Sequence, residues 1–163
     1  MTDEIRISIK ADLDLVPARA EGRALAVRLG FPRPDPTLIA TAISEIARNI
    51  VMHGGSGEIV MRPLYEDDRY GMVVIAQDAG PGIRDVQAAL EDGYAGRGGL
   101  GLGLLGARRL MDEFDIASDP DSGTTVTMRK WRMRDELERL RGRAAGVDQL
   151  RAFPVWPATR PPR

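Results

Sequence analysis

Cysteine is absent from the 163-residue chain, and histidine occurs once, at His53. Without thiols there is no disulfide framework, thiolate metal site, iron–sulfur cluster or thiol nucleophile in this sequence. A single imidazole also excludes a poly-histidine zinc centre. Lysine is nearly missing: of 23 basic residues only Lys10 and Lys130 are lysines, and neither follows a glycine. A Walker-type phosphate loop requires Gly-Lys-Ser/Thr, so that class of nucleotide enzyme is excluded. Long apolar runs are lacking too. The most apolar strand-like run is Met72–Ala76, far short of a membrane span, and Met1–Lys10 has no signal-peptide core. These absences lead us to expect a cytoplasmic protein that does not engage a membrane.

What remains is an ordinary globular composition, 43% hydrophobic and 29% charged, of a length that fits one domain. Net charge is −1, but it is unevenly spread. Residues 1–131 carry 15 basic and 20 acidic side chains, whereas 132–163 carry 8 basic and 4 acidic. The acidic body is not expected to bind nucleic acid. The boundary suggests a domain over 1–131 and a basic, proline-containing extension over 132–163.

Within the body, Ile5, Ile7 and Ile9 alternate with polar residues and predict a half-buried strand. Asp12 and Asp14 are candidate caps for a helix reaching Leu29, with Val16, Leu25, Val27 and Leu29 as apolar candidates. Prolines 32, 34 and 36 form a stiff connector. A second helix is expected from Asp35–Pro36 to His53, its buried stripe set by Ile39, Ile43, Ile46 and Ile50. Glu58–Tyr65 and Tyr70–Gln77 read as a hairpin around an acidic turn. A short helix over Asp85–Asp92, a glycine-rich loop over Gly93–Gly99 and a helix over Leu102–Asp112 come next. Phe114–Ser118 and Thr124–Lys130 read as a last strand pair. Strands paired locally as hairpins give an α+β fold, a two-layer sandwich of a mostly antiparallel or mixed sheet with helices on one face. In the extension, Met133, Leu137 and Leu140 share a helical stripe, and Leu150, Phe153, Val155 and Trp156 are candidates for docking on a partner or back on the sheet.

Four clusters carry more than fold. Glu45 and Asn49 stand one turn apart on the second helix, about 100° from the isoleucine stripe, at the rim of the core. Alone, they read more readily as a solvated helix face with an ordinary Glu–Asn hydrogen bond. Asp78-Ala79-Gly80-Pro81-Gly82-Ile83 follows the most apolar strand, so a carboxylate stands where glycines let a planar base approach the backbone. Gly96–Leu104 opens a helix with free N–H groups suited to an anion. The run Gly101-x-Gly103-x-x-Gly106 matches the dinucleotide fingerprint, but a glycine loop precedes it rather than a strand, which rejects that assignment. Gly123-Thr124-Thr125-Val126-Thr127 brings hydroxyls on a β-rich run, a weak signal by itself.

Together, in this order and spacing, the four resemble the ATP-binding domain of the GHKL superfamily, with its Bergerat-type fold. Glu45-x-x-x-Asn49 resembles the N-box, Asp78-x-Gly80-x-Gly82 the first glycine box, Gly99-x-Gly101-x-Gly103 the second and Gly123-Thr124-Thr125 the third. Within that superfamily, Ser44–Gly54, Gly98–Leu104 and Arg109–Phe114 are similar to the RsbT-type switch serine/threonine kinases and their anti-sigma-factor relatives. The resemblance covers about residues 5–131.

It implies a protein kinase that transfers the ATP γ-phosphate to a serine or threonine of a STAS-domain antagonist. Asn49 would hold Mg²⁺ against the phosphates, and Asp78 would read the adenine amine with Gly80, Gly82 and Ile83 beside it. Gly98, Gly99, Leu100, Gly101, Leu102, Gly103 and Leu104 would wrap the phosphates, and Tyr94–Arg97 would belong to a lid. Thr125 would add a hydroxyl, and Glu45 would take the proton of the attacking hydroxyl. With no lysine placed for it, Arg97 is the candidate to neutralise phosphate charge. A PP2C-type phosphatase or a sigma factor is the implied second partner, and a homodimer is compatible. The rival reading is a non-catalytic anti-sigma or scaffold protein that uses ATP only to order its lid. His53 reads as structural, because a phospho-accepting histidine needs a dimerisation helix that the sequence does not carry.

Overall fold

The computed structural model describes residues 4–80, 103–119 and 121–132. The expected helix over 85–92, the loop over 93–99 and the whole extension beyond Arg132 lie outside them. The described chain runs β1 (Ile5–Ile9), α1 (Leu15–Arg28), α2 (Asp35–Asn49), β2 (Gly57–Glu66), β3 (Arg69–Asp78), α3 (Gly103–Leu110), β4 (Glu113–Asp119) and β5 (Gly123–Trp131). Five strands form one sheet in the order β1-β2-β3-β5-β4, every neighbouring pair antiparallel. The expected α+β sandwich is therefore what forms, with no parallel pair among the described strands.

Register parity decides which residues meet the helices. Successive side chains on a strand point to opposite faces. Met72, Val74 and Ala76 of β3 stand opposite Lys130, Met128 and Val126 of β5, and this face joins the main core with Ile59 and Met61 of β2. The isoleucine stripe of α2 behaves as its 3.6-residue spacing requires. Ile39, Ile43, Ile46 and Ile50 are all 2% exposed or less. Burying each such side chain contributes roughly 1.5–3 kcal/mol as an upper bound.

The first helix differs from expectation in three ways. Asp12–Asp14 is a separate 3-10 turn. Asp14 does not cap α1; its Oδ2 accepts the N–H groups of Lys10 and Ala11 at 2.7 and 3.0 Å, closing the exit of β1. Those N–H groups, Lys10 first, hold its carboxyl below the usual aspartate range. Val16 and Val27 are 68% and 54% exposed, so the buried face of α1 is not valine but Ala18, Gly22, Leu25 and Ala26. Small residues win because α1 lies very close to α2: a Cβ on Gly22 would stand 2.2 Å from Ile43 Cδ1.

The second helix stops as an α-helix at Asn49, short of the expected His53. A single π-helical turn, Ile50–Gly54, carries the chain to Gly55 at φ +79°. The third helix is likewise shorter than Leu102–Asp112, because Asp112 accepts the Trp131 N–H at 2.7 Å and belongs to the sheet edge. Its first residue as described is Gly103, at φ +46°. The acidic hairpin turn is tighter than expected, since Glu66 still pairs with Arg69 and only Asp67 (φ 57°) and Asp68 turn the chain.

Candidate functional site

The ends of α2, β3 and β5 converge on Asp78. It closes β3, half-buried, and its Oδ1 accepts the Gly80 N–H at 2.9 Å, which folds the strand exit back on itself. Glycines make the convergence possible. A Cβ on Gly54 would stand 2.5 Å from Asp78 Cγ and 2.9 Å from its Oδ1, and one on Gly80 would stand 2.6 Å from Gly54 Cα. Gly123 holds φ +86°, and its Cβ would fall 2.0 Å from the Asp78 carbonyl oxygen. The π-helical turn, the strand exit and the β4–β5 turn thus meet at Asp78, Gly54 against its side chain and Gly123 against its carbonyl, at distances that only hydrogen side chains permit. Gly54 was visible in the sequence only as a helix stop; its contact with Asp78 spans 24 residues and carries no local signature.

Glu45 sits one to two turns back on α2, 8% exposed. Both carboxylate oxygens are occupied. Oε1 accepts Arg48 Nη1 at 3.0 Å, and Oε2 accepts the Gly103 N–H at 3.0 Å. The second bond crosses 58 residues and ties α2 to the head of α3, where an N-terminal dipole favours negative charge. Asn49 is the last residue of α2, half-buried, at the entry to the π-helical turn. Among the described residues no group of three or more His, Cys, Asp or Glu side chains could hold a metal. Asn49 offers one amide oxygen there, a donor type that Mg²⁺ accepts when waters and phosphates fill its other positions.

The threonine expected beside Asp78 was Thr125, but the register puts Thr124 there. Register pairs Asp78 with Thr124 and Gln77 with Thr125, so Thr124 shares the helix-side face with Asp78 and Thr125 faces away. Thr124 is 3% exposed, and its Oγ1 lies 3.0 Å from Ser118 Oγ. One residue of register moves every side chain to the opposite face, and spacing alone could not choose between two adjacent threonines. Leu104 is 2% exposed and belongs to the main core. Gly80 and Gly103 are placed as described, on either side of Asp78 and Glu45. Gly82, Ile83, Arg97, Gly98, Gly99, Leu100, Gly101 and Leu102, with Tyr94, lie outside the described residues. His53 is exposed in the π-helical turn.

Residues 9–130 match the family model described as "Histidine kinase-like ATPase domain". The chain is 44% identical over 131 residues to the serine/threonine-protein kinase RsbT of Bacillus subtilis (strain 168), a match covering 80% of this chain and 98% of that one. It is 33% identical over 108 residues to an anti-sigma F factor of Caldanaerobacter subterraneus subsp. tengcongensis, covering 60% of this chain and 74% of the relative. A crystal structure of the RsbU and RsbW domains of a Mycobacterium tuberculosis protein superposes with a TM-score of 0.54 at 22% identity, over 82% of this chain. This chain spans about a third (34%) of that longer one, and the likeness concerns the fold alone.

Proposed function

The chain belongs to the histidine kinase-like ATPase domain family, and we propose that it acts as an ATP-dependent serine/threonine kinase in a partner-switching system. The observation that carries this reading is the glycine-collared Asp78 facing the end of α2, where Glu45 and Asn49 stand together. Gly54 makes room for the Asp78 carboxylate and Gly123 for its backbone carbonyl, a crowding that a plain strand exit does not require.

Asp78 accepts a hydrogen bond from the exocyclic amine of adenine, and the buried Thr124 hydroxyl borders the same pocket in place of Thr125. The glycines let the flat base lie against backbone. Gly103, with Gly98–Leu102 before it, offers backbone N–H groups to the phosphates, and Arg97 is the candidate counter-charge. Asn49 presents its amide oxygen to Mg²⁺, whose chemistry would be to neutralise charge on the phosphate oxygens. Glu45 takes the proton as the attacking hydroxyl oxygen bonds to the γ-phosphorus and the bond to the β–γ bridging oxygen breaks, leaving ADP. Each carboxylate oxygen has a second lone pair, so Glu45 can take the proton while it still holds Arg48 and the Gly103 N–H.

The acceptor is a serine or threonine on a STAS-domain antagonist. A PP2C-type phosphatase or a sigma factor is the alternative partner released or captured by the switch, and a homodimer is compatible with the arrangement. With ATP as donor we place the protein in the cytoplasm; among the described residues no helix is long and apolar enough to cross a membrane. The anti-sigma F relatives support a second reading in which nucleotide only tunes partner affinity.

Labelled ATP, Mg²⁺ and a STAS-domain partner decide between them. Transfer of label to the partner, lost in Glu45→Ala while nucleotide still binds, and lost in Asp78→Asn because nucleotide no longer binds, is the expected outcome. Nucleotide-dependent complex formation with no transfer would establish the binding module instead. Unchanged transfer in Glu45→Ala would remove Glu45 from the mechanism.

A further inference from the structure

Glu45 and Asn49 stand four residues apart on α2. At that spacing an amide and a carboxylate are neighbours on the helix surface and pair readily. Here they do not. Glu45 accepts Arg48 Nη1 and the Gly103 N–H, at 3.0 Å each, and no hydrogen bond joins it to Asn49. The ordinary Glu–Asn bond of a solvated helix face is therefore absent from this turn.

Arg48 is the residue that takes its place. At ~100° per residue, Arg48 lies about 60° to one side of Glu45 and Asn49 about 40° to the other. The guanidinium draws the carboxylate toward its own side, and the Asn49 amide stays clear of it. Arg48 and Gly103 hold different oxygens, Oε1 and Oε2, from two different elements. Rotation of the carboxylate about Cγ–Cδ would break both bonds, so its plane is fixed. The second lone pair on each oxygen then points in a set direction.

Orientation matters more here than the strength of the pair. An ion pair on a helix, with 36% of the arginine side chain exposed, adds little to stability. A base, by contrast, must face the proton it takes. A carboxylate is also a favoured magnesium ligand. Released from Arg48, Glu45 could turn toward Asn49 and either tie up the amide or enter the shell of the cation that Asn49 would hold. Either move would cost the base its direction.

We propose that Arg48 is a positioning residue: it holds Glu45 away from Asn49, so that the carboxylate serves the acceptor hydroxyl and the amide serves the cation. The catalytic part of this inference rests on the kinase reading of the site. Arg48→Ala and Arg48→Lys in the full chain test it by two measurements. The first is NMR of the Asn49 side-chain amide and the Gly103 backbone amide, without nucleotide or metal. In Arg48→Ala both signals are expected to move, as Glu45 turns from one partner toward the other, and in Arg48→Lys to stay near the parent. The second is transfer of label from ATP with Mg²⁺ to a STAS-domain partner. Arg48→Ala is expected to lower kcat about 10- to 100-fold, the scale of a misplaced catalytic group, with ADP affinity and the KM for the partner within about twofold of the parent. Arg48→Lys should restore part of the loss. Unmoved amide signals in Arg48→Ala overturn the proposal, as does a kcat equal to the parent's. Weakened ADP binding or a raised partner KM overturns it too, because Arg48 would then act on phosphate or partner directly. A parent protein that transfers no label defeats the kinase reading and the catalytic assignment together, whereas an active parent with an equally active Arg48→Ala defeats the assignment alone.

Discussion

Replacing Gly54 by alanine adds one methyl group to the site and nothing else. Its backbone is not in the left-handed region, so the substitution brings no torsional strain, only contact. That contact is severe: the new Cβ would lie 2.5 Å from Asp78 Cγ, 2.6 Å from its Cβ and 2.9 Å from Oδ1. Asp78 cannot yield freely, because Oδ1 holds the Gly80 N–H and the Gly123 backbone presses on its carbonyl. Overpacking of this kind costs about 1–3 kcal/mol. If the carboxylate turns aside to relieve it, the loss falls on nucleotide affinity, as a roughly 5- to 150-fold rise in Kd. Gly55 is the matched control. It has φ +79°, and a methyl group there would find nothing within 4 Å, so Gly55→Ala is strained but touches nothing. Urea unfolding and calorimetric titration with ADP and Mg²⁺ separate the two. Gly55→Ala should lose stability with nucleotide affinity retained, and Gly54→Ala should lose affinity. Wild-type affinity in Gly54→Ala, with Asp78 unmoved in its NMR signals, would refute the idea that this glycine exists to admit the aspartate.

The other expectations concern the scaffold. Gly22→Ala should destabilise the protein by about 1–3 kcal/mol of overpacking, offset in part by up to ~1 kcal/mol of helix propensity. Ile43→Val removes the Cδ1 atom that the new methyl meets at 2.2 Å, so the double variant should be more stable than the sum of the two singles; simple additivity in urea unfolding would contradict the close α1–α2 approach. Asp14 should titrate below the ordinary aspartate range in a carboxyl NMR titration, since the N–H groups of Lys10 and Ala11 favour its charged form. A depressed folded pKa contributes stability that is complete above the unfolded pKa and disappears as pH falls through the folded one. Asp14→Asn should therefore differ from the parent at neutral pH and converge with it in acid, as read from thermal unfolding.

Much of the site was legible because its signals are local. Glu45 and Asn49 are one helical turn apart, and Asp78 precedes its glycines directly, so each motif declares itself within a few residues. The isoleucine stripe of α2 was readable for the same reason: 3.6-residue periodicity needs no knowledge of the partner. Periodicity failed for α1, where Val16 and Val27 point to water and Gly22 points inward, because the closeness of a neighbouring helix is not written in the helix itself.

Spacing and composition alone fixed the element order, the antiparallel hairpins, the carboxylate at the strand exit and the break in charge after residue 131. Tertiary contact alone decided that Thr124 and not Thr125 joins Asp78, that Gly54 presses on its carboxylate, and that Glu45 is tied to Gly103 across the fold. Register parity and long-range approach set these, and both depend on where distant segments come to rest, which no local pattern of residues encodes.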